Sequence, residues 1–138
     1  MLEATLVPMI TQPSQTQTAL LVELPASLGN FFDERGYIPS NLFENRSNAR
    51  LKVRCETSLT ILTWPAFVQR HQTHLKILVK DLSKKGIGIL CHQQMYPLET
   101  FAVELLGRSL QATVVRCRKL GDRCYEVGAR LRIAEDED

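Results

Sequence analysis

The chain has 138 residues and a formal net charge of +2, enough for one compact domain with a short extension and too little for two full domains. With 44% hydrophobic and 23% charged residues it can bury one core without a metal or a disulfide framework. No run of 18 apolar residues occurs, which excludes a membrane-spanning helix. No Lys or Arg precedes Arg35, so the basic start of a secretory signal is missing and a cytoplasmic location is expected. Charge is unevenly spread: residues 41–133 carry 16 bases against 7 acids, while both ends are acidic. A basic body of this kind attracts nucleotides, nucleic acid or acidic partner surfaces.

Residues 1–18 are rich in Thr, Gln and Pro and read as a flexible lead-in. From Ala19 the apolar positions Leu20, Leu21, Leu24, Leu28, Phe31 and Phe32 recur at helical spacing, which predicts a short amphipathic helix within about 25–35, started by Pro25 and stopped by Gly36. From Leu51 the period changes to two. Leu51, Val53, Cys55, Leu59 and Ile61 alternate with polar and β-branched residues, as do Leu75, Ile77 and Val79, then Ile87, Ile89 and Cys91, then Phe101, Val103 and Leu105. Residues 112–115 and 125–131 flank the polar turn 119–123 and predict a closing hairpin with a Gly-Asp turn. Residues 64–73 read as a longer connection. Short strands without a long helix among them point to an antiparallel barrel or sandwich. The domain division expected is an extension over 1–43, a β-barrel over 44–133 and an acidic tail over 134–138.

The cysteines Cys55, Cys91, Cys117 and Cys124 form no C-x-x-C pair and are expected to be reduced. His71, His74 and His92 match no metal-ligand spacing, so neither a metal nor a bound cofactor is expected. No acid pair, activated nucleophile or metal cluster is evident, and the chain reads as a non-enzyme.

Two short motifs carry chemistry. Arg46-Ser47-Asn48-Ala49-Arg50 offers two guanidinium forks that match phosphate oxygens and the O6/N7 edge of guanine. Asp81-Leu82-Ser83-Lys84-Lys85-Gly86 offers a carboxylate and a hydroxyl for the remaining polar atoms of a base, with Gly86 permitting a special backbone geometry or a close approach. Alone, the second motif is also an ordinary turn, in which Asp81 and Ser83 satisfy local backbone groups and Gly86 supplies a positive φ. Arg46 and Arg50 would then be solvated charges.

The order and spacing of Arg46-x-x-x-Arg50, Asp81-x-Ser83-x-x-Gly86 and the closing segment Tyr125-Glu126-Val127-Gly128-Ala129-Arg130-Leu131 resemble a PilZ domain over about residues 44–133. The resemblance implies a six-stranded antiparallel β-barrel with cyclic di-GMP as ligand; the short N-terminal helical extension expected before it rests on the apolar spacing alone. It implies that Arg46 and Arg50 lie on an arm that wraps the ligand, that Asp81 and Ser83 hydrogen-bond a guanine, and that Gly86 keeps the turn open. Asn45 stands where many members carry a further arginine, which implies one dinucleotide per chain. The segment between 19 and 36 is expected to cover a barrel end, where many members use a C-terminal helix. The function so implied is a cyclic di-GMP receptor that orders its arginine arm on the ligand and signals to a downstream protein partner. The alternative is a PilZ-fold interaction module acting without the dinucleotide. A barrel for single-stranded nucleic acid ranks last, because Trp64, Phe67 and Tyr96 fall in connections and not on a strand face.

Overall fold

The computed structural model describes residues 19–37 and 50–132. Alternation keeps one face of a sheet dry and the other wet, and from Arg50 onward the chain uses it almost throughout. Strand β1 (Gly36–Tyr37) is a two-residue pairing onto the start of β2. Strands β2 (Arg50–Thr63), β3 (His74–Ser83) and β4 (Gly86–Cys91) form one antiparallel meander, and β5 (Thr100–Leu105), β6 (Arg108–Gly121) and β7 (Cys124–Leu131) form a second. β4 pairs with β7 and β2 with β5, so β2 to β7 close into a six-stranded antiparallel barrel. The expected all-β architecture is the one that forms.

The barrel interior is filled by the alternating residues read from the sequence, among them Leu59, Ile61, Ile77, Val79, Ile89, Phe101, Val103, Val114 and Val127, with Met95 added from a connection. The closing hairpin turns one residue later than expected: β6 runs through Gly121, and Asp122 and Arg123 make the turn. The β5–β6 hairpin turns on Leu106 and Gly107, both at positive φ (55° and 74°), the sense that matches strand twist.

The expected helical segment lies at 26–33 as two consecutive 3₁₀ turns, Ala26–Leu28 and Phe31–Asp33, separated by Gly29 and Asn30. It covers the outer wall of the barrel, not an end. Leu78 and Leu90, cross-strand partners on β3 and β4, are buried on the face away from the core. Together with Cys124 they pack under Phe31, Leu20, Val22, Leu24 and Leu28. Of the apolar stripe read as helical, Leu20, Leu24, Leu28 and Phe31 thus form a strap over a second dry face, whereas Phe32 is exposed. Backbone hydrogen bonding from the Glu23 N–H to the Arg123 carbonyl (3.0 Å) fastens it, as does Glu34, whose carboxylate lies 3.8 Å from both Lys52 and Arg54. The buried Arg54 guanidinium sits 4.7 Å from the centroid of the Phe31 ring.

A buried ion pair ties the connection 64–73 to the one leading into β5. Glu99 is 0% exposed and is held by the Arg70 guanidinium, whose Nε donates to Oε1 at 3.2 Å and whose Nη2 donates to Oε2. Arg70 also donates to Gln93 Oε1 (3.1 Å) and the Gln94 carbonyl (2.9 Å), and the Tyr96 N–H donates to Glu99 Oε2 (2.7 Å). The four cysteines are free thiols, and burial pushes the Cys91 thiol up to about 11. Among the described residues no helix is long and apolar enough to cross a membrane.

Removing one member of the buried pair strands the other charge in a dry site. Arg70→Met should therefore destabilise the fold by about 3–5 kcal/mol in urea unfolding, and adding Glu99→Leu to it should recover most of the loss.

Candidate functional site

Three strands break their alternation next to one another. The register slips between Lys52 and Cys55 on β2, between Val79 and Asp81 on β3, and between Val114 and Arg116 on β6. Each slip is a β-bulge, and a bulge puts consecutive side chains on one face. Lys80 and Asp81 thus both face outward from β3, and Val115 and Arg116 both face outward from β6. Between these strands lie β4 and β7, whose outward residues at this level are Gly88 and Gly128, directly paired. One cross-strand row reads Lys52, Asp81, Gly88, Gly128, Arg116. Its two central positions carry no side chain, and the result is a cleft of about 300 Å³ with a backbone floor.

Asp81 is 5% exposed and forms one wall. Arg50 Nη2 donates to its Oδ2 at 2.6 Å, and Lys80 Nζ lies 3.7 Å from the same oxygen. Oδ1 leans over the floor, 2.9 Å from where a Cβ on Gly88 would stand. Oδ1 accepts no hydrogen bond from another described residue. Ser83 ends β3 and accepts a hydrogen bond from the Gly86 N–H at 3.1 Å across the two-residue turn Lys84-Lys85. The motif is thus a hairpin turn, as the ordinary reading had it, and also a wall of the cleft. Gly86 is not at positive φ; its Cβ would stand 3.2 Å from the Ala129 carbonyl, so close approach is what glycine serves there.

Arg50, Asp81, Ser83 and Gly86 are therefore brought together, all lining the same cleft. Arg46, and with it Asn45, lies outside the described residues. The sequence reading gave no site role to Lys80, Gly88, Arg116, Glu126, Gly128 and Arg130, which also belong to the lining. The available signal was the lapse in alternation at Lys80-Asp81 and Val115-Arg116. Glu126 accepts from Lys80 at 2.7 Å and from Arg118 at 2.6 Å. Burial would raise its carboxyl, but Lys80 and Arg118 outweigh burial and hold it below the ordinary glutamate value. Chemically the cleft offers carboxylate and hydroxyl acceptors on one side and guanidinium donors at its mouth and opposite wall. Among the described residues no group of three or more His, Cys, Asp or Glu could hold a metal ion. The chain matches no protein-family model and no curated protein sequence.

Because the Glu126 carboxyl is held low in the folded protein, its contribution is present above the ordinary glutamate value and fades as pH falls through the folded one. Thermal unfolding of Glu126→Gln should begin below that of the parent at pH 7, and the two should converge on acidification below about pH 4.5.

Proposed function

We propose that the chain is a PilZ-type receptor for cyclic di-GMP, acting as a binding module and not as an enzyme. The observation that carries this reading is the convergence of Arg50, Asp81 and Ser83 on one glycine-floored cleft. A guanine presents N–H donors on its Watson–Crick edge, which suit the Oδ1 of Asp81, and acceptors at O6 and N7, which suit a guanidinium. Its phosphodiesters suit Arg50, and Arg46 from the arm that leads into β2. A site of about 300 Å³ lies at the small end of ligand pockets, the size for one half of a dinucleotide, with the arm ordering over the other half. The bound state is then read by a protein partner.

The reading predicts that cyclic di-GMP binds and that GMP and cyclic GMP bind far more weakly, because neither fills both guanine positions. Arg46→Ala and Arg50→Ala should each lower the affinity about tenfold to a hundredfold in calorimetric titration while leaving the barrel folded. A folded parent that gives no heat with high-micromolar cyclic di-GMP would remove the receptor reading and favour an interaction module that works without the dinucleotide.

A further inference from the structure

Large exposed apolar side chains gather where β2 ends and β5 begins. The register slip between Ile61 and Thr63 leaves Leu62 outside the core, and Trp64 and Phe67 follow on the connection 64–73. Phe67 packs edge-on against Tyr96 of the connection leading into β5, with ring centroids 5.7 Å apart. Two residues further on, Leu98 is 79% exposed and held at φ 78°, a left-handed conformation that leucine rarely adopts. Residues 62–69 and 95–98 contain no charged side chain. Neither connection is free to turn these groups inward. The buried Arg70–Glu99 pair fixes one connection against the other, and the Leu98 N–H donates to the Val114 carbonyl at 2.9 Å. The result is a rigid apolar face that no described residue covers, the kind of surface that marks an interaction site.

The same chain contains an apolar segment of matching character. Residues 4–10 are uncharged and include Leu6-Val7-Pro8-Met9-Ile10, and the eight residues 11–18 that follow are polar apart from Pro13. The first described residues aim the chain at the exposed face. Leu20 bridges Lys76 in parallel, so the backbone before it runs back along β3 toward His74, the residue that follows the connection 64–73. Ile10 is nine positions before Ala19, a reach of up to about 30 Å. A tether of that length keeps the segment at high effective concentration, so a modest apolar contact is sufficient to hold it. We propose that residues 6–10 dock on the Trp64–Phe67–Leu98 face as a tethered apolar cover. Docking of this kind uses none of the residues that line the cleft, so it stands or falls apart from the receptor reading.

Trp64 is the only tryptophan in the chain, and its fluorescence reports the cover directly. The full chain should be compared with the double variant Leu6→Ser/Ile10→Ser, with Leu98→Ser and with Gln15→Ala as a control in the polar tether, each checked for folding by circular dichroism and for mass by sedimentation. The double variant should remain a folded monomer whose Trp64 emission moves to longer wavelength and is quenched faster by acrylamide than the parent's, while Gln15→Ala matches the parent. Leu98→Ser should shift emission the same way, and combining it with the double variant should add little, because both remove one contact. Equal emission and quenching in the parent and the double variant, additive shifts on combination, or a shift in Gln15→Ala as large as in the double variant would each overturn the proposal. A dimeric parent that dissociates with Phe67→Ser but not with Leu6→Ser/Ile10→Ser would assign the face to a second copy of the chain and overturn it as well.

Discussion

Closing six strands into one barrel forces the wall to bend, and the candidate site follows from where it bends. Three of its bulges lie beside a single cross-strand row that runs from Lys52 on β2 to Arg116 on β6. A bulge costs a ladder position but re-aims side chains, and here it moves Asp81 and Arg116 onto the outer face at one level. The paired glycines between them are the complement of that arrangement. A Cβ at Gly88 would reach within 2.9 Å of Asp81, so floor and wall are possible only together.

The cleft is nearly self-satisfied without a ligand. Arg50 and Asp81 neutralise each other at 2.6 Å, and Lys80 is shared between Asp81 and Glu126. A plain anion that drew Arg50 away would leave a nearly buried carboxylate with only the more distant Lys80, at 3.7 Å, as a cationic partner, which is unfavourable. A ligand that brings N–H donors along with its negative charge compensates both groups at once. That requirement, more than positive charge alone, is why a guanine nucleotide suits the proposed function better than an inorganic or purely phosphate ligand. It also separates this cleft from the exposed aromatics: Phe67, 78% exposed, lies in the connection 64–73, away from the cleft lining.

The barrel was legible because its cause is local. Period-two alternation specifies which face of each strand is dry, and the core positions read at Leu75, Ile77, Val79, Ile87 and Ile89 are buried. Arg50, Asp81, Ser83 and Gly86 were legible because two compact motifs hold them at fixed spacing. Arg116 was not, since it enters the cleft only through a bulge, which inverts the face that alternation assigns. The strap was misplaced for a related reason. Leu78 falls among the positions that alternate with the core, and nothing within β3 tells whether that outward leucine meets water or another segment. Arg70 and Glu99 look like surface charges in sequence because their pairing depends on two connections meeting in space.

The claim that the glycine-floored cleft is the ligand site is tested most directly by amide chemical shifts of the ¹⁵N-labelled chain during titration with cyclic di-GMP. The account predicts saturable shifts concentrated at Gly86, Gly88 and Gly128, with Gly29 on the strap and Gly107 in the β5–β6 turn nearly unmoved. Saturable shifts confined to another face of the barrel, with those three glycines unchanged, would contradict it.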